Sequence, residues 1–425
     1  MPGSDVHRTI EAVWRIESAK IIGGLARLVR DVGLAEELAQ DALVAALQTW
    51  PQTGLPDNPG AWLMATAKRR GIDRLRRGKM IERKHGEITR ELEALQKVAD
   101  ATQEAAADDP VGDDTLRLIF TSCHPLLSPE ARVALTLRLL GGLSTIEIAR
   151  AFLVTEATLA QRIVRAKKTL SEARVPFEVP RGPELNARLA SVLEVVYLIF
   201  NEGYSATTGE DWMRPAWCDE ALRLGRILAG LVPGEAEVHG LLALMEIQAS
   251  RTRARTGPTG EPLLLLDQNR ALWDQLLIRR GLAGLDRAER LGGALGPYFL
   301  QAAIAACHRR ARTAQETDWP RIASLYGALA QITASPIAEL NRAVAVSMAA
   351  GPAEGLAIVD ARVAEPQLVN YHLLPAVRGD LLARLDRHGE AQAEFERAAA
   401  LTHNVRERDV LLGRARATIA LTRPS

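Results

Sequence analysis

Apolar residues in this chain recur at helical spacing and almost nowhere alternate, so the sequence offers a sheet nothing to build on. Ala, Leu, Arg and Glu are abundant and aromatic residues make up only 4%, which favours helices over pleated, half-buried surfaces. The predicted fold class is all-α. A length of 425 residues is enough for roughly two to four domains with substantial cores. No window approaches the ~18 uncharged apolar residues that a membrane helix needs. The N-terminal string MPGSDVHRTIEAVWRIE carries charges throughout and has no apolar signal core, so the expected localisation is cytoplasmic. Cys123, Cys218 and Cys307 show no CxxC spacing, and His239, His308, His372 and His403 are scattered. A disulfide framework and a structural zinc are therefore not expected, and the thiols read as buried and free. No phosphate-binding loop, Gly-rich dinucleotide turn, nucleophile elbow or zinc signature occurs. The chain is expected to be no enzyme and to need no cofactor.

Charge is close to balanced overall, at +1, but is sharply segregated along the chain. From Trp62 to Lys84 nine Lys/Arg face two acids, a net of +7. On a helical wheel Leu63, Met64, Ala67, Gly71 and Leu75 fall on one side, and Trp62, Thr66, Arg69, Asp73, Arg76 and Arg77 on the other. A basic helix face with an aromatic on it suits a nucleic-acid strand, because cations neutralise phosphates while a Trp ring stacks on an unpaired base. A solvated helix with Trp62 at the core edge would look the same. Just upstream, LAEELAQDALVAALQTW (34–50) places Leu38, Ala42, Ala45 and Ala46 on an apolar stripe and leaves Glu36, Glu37, Gln40 and Asp41 off it. Ordinary complementation of the helix dipole accounts for such acids without any function.

The balance reverses between Glu87 and Asp114, where nine acids face two cations, a net of −7. This stretch reads as a tether ending at Asp109-Pro110-Val111-Gly112. Beyond it, Ser144 and Glu147 form a capping box, a short helix runs to Phe152, Leu153-Val154 make a turn and Thr155 caps a second helix to about Ser171. In that helix Leu159, Ile163, Ala166 and Leu170 face inward, while Thr158, Gln161, Arg162, Arg165 and Lys168 face outward. This is the layout of a helix-turn-helix, whose second helix offers donors to base edges and phosphates. An αα-hairpin of any helical bundle shares the pattern.

Three segments in this order carry a family resemblance. D-x-G-x-A-E-E-x-x-Q-D (31–41) and W-L-x-x-x-A-K-R-x-x-x-D-x-x-R-R (62–77) are similar to region 2 of extracytoplasmic-function (ECF) sigma factors, and L-S-P-E-A-R-x-A-L-x-L-R (127–138) with the helix-turn-helix resembles their region 4. The resemblance implies docking on the clamp helices of core RNA polymerase by Glu36, Glu37, Gln40 and Asp41. It implies −10 recognition and melting by Trp62, Thr66, Lys68, Arg69, Asp73, Arg76 and Arg77, and −35 recognition by Thr158, Gln161, Arg162, Arg165 and Lys168. The implied domains are region 2 over 1–84, an acidic linker over 85–112, and region 4 over 113–175.

The remaining residues, 184–425, are again helical, in blocks broken by Gly and Pro. Trp319, Ile322, Ala323 and Tyr326 fall at tetratricopeptide spacing, and Gly351-Pro352-Ala353-Glu354 recurs 36 residues on as Arg387-His388-Gly389-Glu390. YLIFNEGYS (197–205), GPYFLQAAIAACH (296–308) and SPIAELNRAVAVSMAAGP (335–352) resemble the C-terminal extension of ECF sigma factors with a fused tetratricopeptide-like domain. Asn201-Glu202-Gly203-Tyr204 reads as a polar interruption between helices that either lines a groove or makes a turn. The expected function is promoter-specific initiation with core RNA polymerase and promoter DNA as partners, and a C-terminal domain that takes a regulatory ligand or protein. A helix-turn-helix regulator with a sensory repeat domain, which never enters polymerase, is the alternative.

Overall fold

The structure, a computed structural model, describes residues 3–82, 110–152, 154–205, 213–257, 262–292, 296–311, 313–402 and 404–422. Among these the regular elements are helices; the only strand-like pairing is an isolated bridge between Thr256 and Pro262. The acidic tether expected over 85–112 falls almost wholly outside the described residues. Two compact units divide at Val195/Val196.

The first unit contains α1 (Gly3–Val29), α2 (Val32–Thr53), α3 (Pro59–Glu82), α4 (Pro110–Ser122), α5 (Pro129–Leu139), α6 (Thr145–Phe152), α7 (Glu156–Glu172) and the first half of α8 (Pro183–Tyr204). The break between α1 and α2 follows from local chemistry. Asp31 sits in extended backbone and its carboxylate accepts from the Leu34 amide at 2.8 Å, satisfying a donor the helix itself leaves orphaned. Asn58 does the same for Ala61 at 3.0 Å, one residue before Pro59. The α1–α3 core is Ile21, Ile22 and Leu25 against Leu38, Ala42 and Trp50 with Leu63 and Ala67. Gly71 brings α3 close to α2, since a Cβ there would stand 3.2 Å from Leu38 Cδ1.

Side-chain caps form in the second half of this unit, at Thr155 and the Ser144–Glu147 box as expected from the sequence and at Ser128 besides. Ser128 accepts from Ala131, with Pro129 in the first turn of α5, and Thr155 accepts from Thr158 at the start of α7. The Ser144–Glu147 box closes in both directions, with the Ser144 amide donating to Glu147 Oε2 at 2.8 Å and the Glu147 amide to Ser144 Oγ at 3.2 Å. Gly142, at φ +64°, makes the bend before α6 where a Cβ would lie 3.0 Å from Ser18 Oγ.

The second unit holds the rest of α8, then α9 (Pro215–Leu231), α10 (Ala236–Ala249), α11 (Gln275–Leu291), α12 (Pro297–Arg310), α13 (Trp319–Thr333), α14 (Pro336–Ala349), α15 (Pro352–Asp360), α16 (Leu373–Ala383), α17 (His388–Leu401) and α18 (Val405–Thr422). From α9 onward each helix packs on the next. One apolar core runs from α10 to α14, and another from α14 to α18. Glu237 of α10 receives the amides of Tyr298 and Phe299 at 2.9 and 3.0 Å, so a side chain from another helix caps α12.

The Asn201–Tyr204 stretch is not an interruption between helices, although Tyr204 does line a cavity. These residues are helical, forming the last turn of α8, because Gly203 lets the helix meet the start of α9: a Cβ would be 2.7 Å from the Cys218 amide nitrogen. Glu202 is paired with Arg214 at 2.6 Å. The opening of α8, expected to begin the C-terminal domain, packs into the first unit. There Arg188 donates to the Phe120 carbonyl at 2.8 Å, and buried Arg132 donates to Glu194 at 2.8 Å and to Ser191.

Candidate nucleic-acid and polymerase-facing surfaces

On α7 the inward and outward sets separate as periodicity requires. Leu159, Ile163, Ala166 and Leu170 are buried, whereas Thr158, Gln161, Arg165 and Lys168 are exposed and Arg162 is half-buried. Gln161, Arg165 and Lys168 follow at i, i+4 and i+7 and share one face. They present amide, guanidinium and ammonium donors without a ladder of acids beside them. Among the described residues Lys168 alone of the three reaches a carboxylate, Glu172 at 3.6 Å, and both side chains are well solvated, so that pair holds it weakly.

On α3 the expected face is more divided. Arg69 and Asp73 are exposed, and Thr66 is half-buried. Trp62 is half-buried too and meets buried Trp50 edge-on at a centroid distance of 5.3 Å, so the ring serves the core as well as the surface. Lys68 turns partly inward. Burial lowers its pKa and neighbouring Arg27 lowers it further, while Asp114 opposes both. Arg76 and Arg77 lie on the α3 backbone, and their side chains fall outside the described residues. Two other cations of the stretch are tied to α2: Arg74 pairs with Glu37 at 3.1 Å, and Arg70 donates to the Asp41 carbonyl at 2.7 Å.

The four α2 residues expected to lie open do not behave alike. Glu37 and Asp41 are exposed. Glu36, by contrast, is 2% exposed, and Gln40, half-buried, donates to it. The reason is tertiary. Arg138 of α5 reaches Glu36 Oε1 at 2.7 Å, and Lys167 of α7 pairs with its other oxygen. Two further links join the same elements: Ser171 donates to Asp31 at 2.9 Å, and Arg15 of α1 pairs with Glu147 at 2.9 Å. The helix-turn-helix therefore sits on the α1–α2 surface and seals Glu36. Sequence reading missed Arg138, Lys167 and Arg15. Pairing across 102 residues, as between Arg138 and Glu36, leaves no periodic signal in a single chain.

The thiols are buried and free. Burial pushes Cys123 up to about 11 and Cys218 up to about 12, so neither is a ready nucleophile. Among the described residues no group of His, Cys, Asp and Glu is placed to hold a metal ion, and no helix is long and apolar enough to cross a membrane.

Residues 17–80 match the family model of sigma-70 region 2, residues 117–170 that of sigma-70 region 4, and residues 188–289 that of a family of unknown function, DUF6596. The chain is 44% identical over 393 residues, 91% of its own length and 90% of the relative's, to an uncharacterized protein of Rhizobium meliloti. It is 26% identical over 173 residues to the probable ECF RNA polymerase sigma factor SigI of Mycobacterium tuberculosis, covering 41% of this chain and 58% of SigI. Over 159 residues it is 26% identical to the ECF RNA polymerase sigma factor SigK of Mycobacterium bovis, covering 36% of this chain and 78% of SigK. No solved structure matches the chain.

Proposed function

The chain belongs to the ECF sigma factors that carry a C-terminal DUF6596 domain, and from that premise we propose how its surfaces divide the work of transcription initiation. Its sigma-70 regions make core RNA polymerase and promoter DNA its partners. In the cytoplasm, α2 docks on polymerase through Glu36, Glu37, Gln40 and Asp41. The α3 face of Trp62, Thr66, Lys68, Arg69, Asp73, Arg76 and Arg77 receives the melted −10 strand, and Thr158, Gln161, Arg162, Arg165 and Lys168 read the −35 element. The second unit, a stack of helix pairs of tetratricopeptide type, modulates that activity.

The observation that carries this reading is the separation on α7, where four buried apolar side chains fix the helix and its opposite face keeps exposed donors for the major groove. Docking through Glu36 requires that Arg138 and Lys167 first release it. Run-off transcription with core enzyme on a randomised promoter library tests the whole reading: a recovered two-element motif supports it, and transcripts no different from core enzyme alone refute it. The sealed Glu36 favours a second reading, a DNA-binding regulator that never enters polymerase. A pull-down with core polymerase separates the two.

A further inference from the structure

Within the second unit, Tyr197, α10, α12, α13 and the start of α14 enclose a cavity of about 400 Å³, inside the range of roughly 300–1,000 Å³ typical of small-molecule sites. Its walls are mixed. Leu244, Ile304, Leu329 and two tyrosines, Tyr197 and Tyr326, supply apolar surface, and Gln248, Gln301, Ser335 and Asn341 supply uncharged polar groups. Among the described residues no Asp or Glu lines it. The one permanently charged side chain among the described lining residues is Arg251.

Arg251 follows the end of α10 and is held in place by neutral groups. It donates to Tyr204 Oη at 2.7 Å and to Gln248 Oε1, and its guanidinium carbon stands 5.8 and 6.0 Å from the Tyr204 and Trp273 ring centroids. Its Nε is buried with no hydrogen-bond partner. Among the described residues no carboxylate pairs with it. Like charge surrounds it instead: Arg255 and Arg270 lie close enough to feel its field. His308, also in the lining, has a buried Nδ1 without a partner, and burial with the charges of Arg251 and Arg270 pushes it down to about 4, so it is neutral at pH 7. A half-buried guanidinium whose Nε is buried, with no carboxylate partner among the described residues and otherwise uncharged lining around it, is an arrangement that an anion relieves.

The adjoining cavity offers a useful contrast. It shares Gln248, Arg251 and Leu265 and measures about 450 Å³, but its lining mixes both signs of charge: Arg255 and Arg414 stand with Glu407, which has His372 at 3.3 Å, and Arg414 is paired with Asp380. In the first cavity, by contrast, a single cation stands with no carboxylate among the described lining residues.

We propose that this cavity binds a small organic monoanion, a carboxylate on an apolar or aromatic body, with Arg251 taking the carboxylate and Tyr197, Tyr326 and Leu329 packing on the body. A single lining cation matches one negative charge better than the two of a phosphate, and a planar guanidinium fork matches a carboxylate in shape. The site is defined by direct binding, so it stands or falls separately from any reading of transcription.

The test is calorimetric titration of the full chain with phenylacetate and indole-3-acetate, using phenylacetamide as the neutral match and inorganic phosphate as the small dianion. The carboxylates are expected to bind and the amide to bind at least about tenfold more weakly, the scale of a lost charge-assisted hydrogen bond. Phosphate is expected not to compete. Arg251→Gln should weaken carboxylate binding by about tenfold or more with an unchanged helical signal by circular dichroism. Because that substitution also touches Tyr204, Thr333→Trp is a second probe. Thr333 is exposed where it lines the cavity, so an indole there blocks entry while the charge stays in place, and it should likewise weaken binding by about tenfold or more. Absence of binding, equal affinity for phenylacetate and phenylacetamide, or full affinity in both variants would each overturn the proposal.

Discussion

Lys167→Met is expected to raise affinity for core RNA polymerase. Lys167 and Arg138 together hold Glu36 beneath the helix-turn-helix, with side chains 20% and 21% exposed around a carboxylate only 3% exposed. Hydrogen-bonded contacts to charged groups contribute ~1.5–3 kcal/mol each, and partial solvation of both cations argues for the lower end, about 1.5 kcal/mol per contact. Arg138 also donates to the Leu143 carbonyl at 3.0 Å, so replacing it would disturb the bend before α6. Lys167 is the cleaner choice. Removing ~1.5 kcal/mol from the sealed form shifts the sealed-to-open ratio by roughly tenfold, at 1.4 kcal/mol per factor of ten. The apparent dissociation constant for polymerase should fall by up to the same factor while the sealed form predominates. Fluorescence anisotropy of the labelled full chain with core polymerase, without DNA, measures this. Lys168→Met is the control: its side chain is 70% exposed and pairs only with Glu172, so polymerase affinity should not change. Unchanged or weakened binding by Lys167→Met would refute the view that Glu36 is a docking residue kept covered.

Other outcomes follow from the same geometry. Arg165→Ala should weaken −35 duplex binding more than Arg162→Ala, because Arg165 is exposed and Arg162 half-buried; a base contact costs ~1–3 kcal/mol at one position, and a phosphate contact instead lowers the salt slope by about one, which gel shifts at several salt concentrations distinguish. Trp62→Ala with Arg69→Ala should spare closed-complex formation and reduce −10 opening, by a stacking loss of roughly 1–3 kcal/mol per base; permanganate footprinting on duplex and pre-melted templates reads it, and equal defects on both would point to binding alone. A truncation after Ser205 should keep the first unit folded and lose promoter-dependent transcription. Ending the chain near Arg174 instead would strip Ser191 and Glu194 from buried Arg132 and confound the test; full activity of the Ser205 truncation would refute a positive role for the second unit. Burial raises Cys123 from an ordinary 9.0 to about 11, so the unfolded chain gives up that proton first and folding stability should fall as pH rises through that window, as denaturant titrations on either side of pH 9.0 would show.

Read alone, the sequence determined what depends on neighbours within one or two turns. The inward set on α7, the Ser144–Glu147 box, the cap at Thr155, and the lack of a sheet among the described residues are consequences of 3.6-residue periodicity and of polar side chains satisfying orphaned helix ends. The ordered segments that resemble ECF sigma factors were legible for the same reason, since local spacing carries them. Tertiary structure decided which charged residues remain available. Glu36 and Glu37 are adjacent acids off the same apolar stripe, yet one is sealed by Arg138 and Lys167 while the other lies exposed against Arg74. It also turned the Asn201–Tyr204 stretch into a helix end, because Gly203 permits an approach that only the placement of α9 demands. Arg251 drew no notice in the sequence, where it is one arginine among many. The role proposed for it arises from the company it keeps, a cavity with no carboxylate among its described lining residues, and charge compensation between residues far apart in the chain is settled only when packing brings them together or leaves them unmatched.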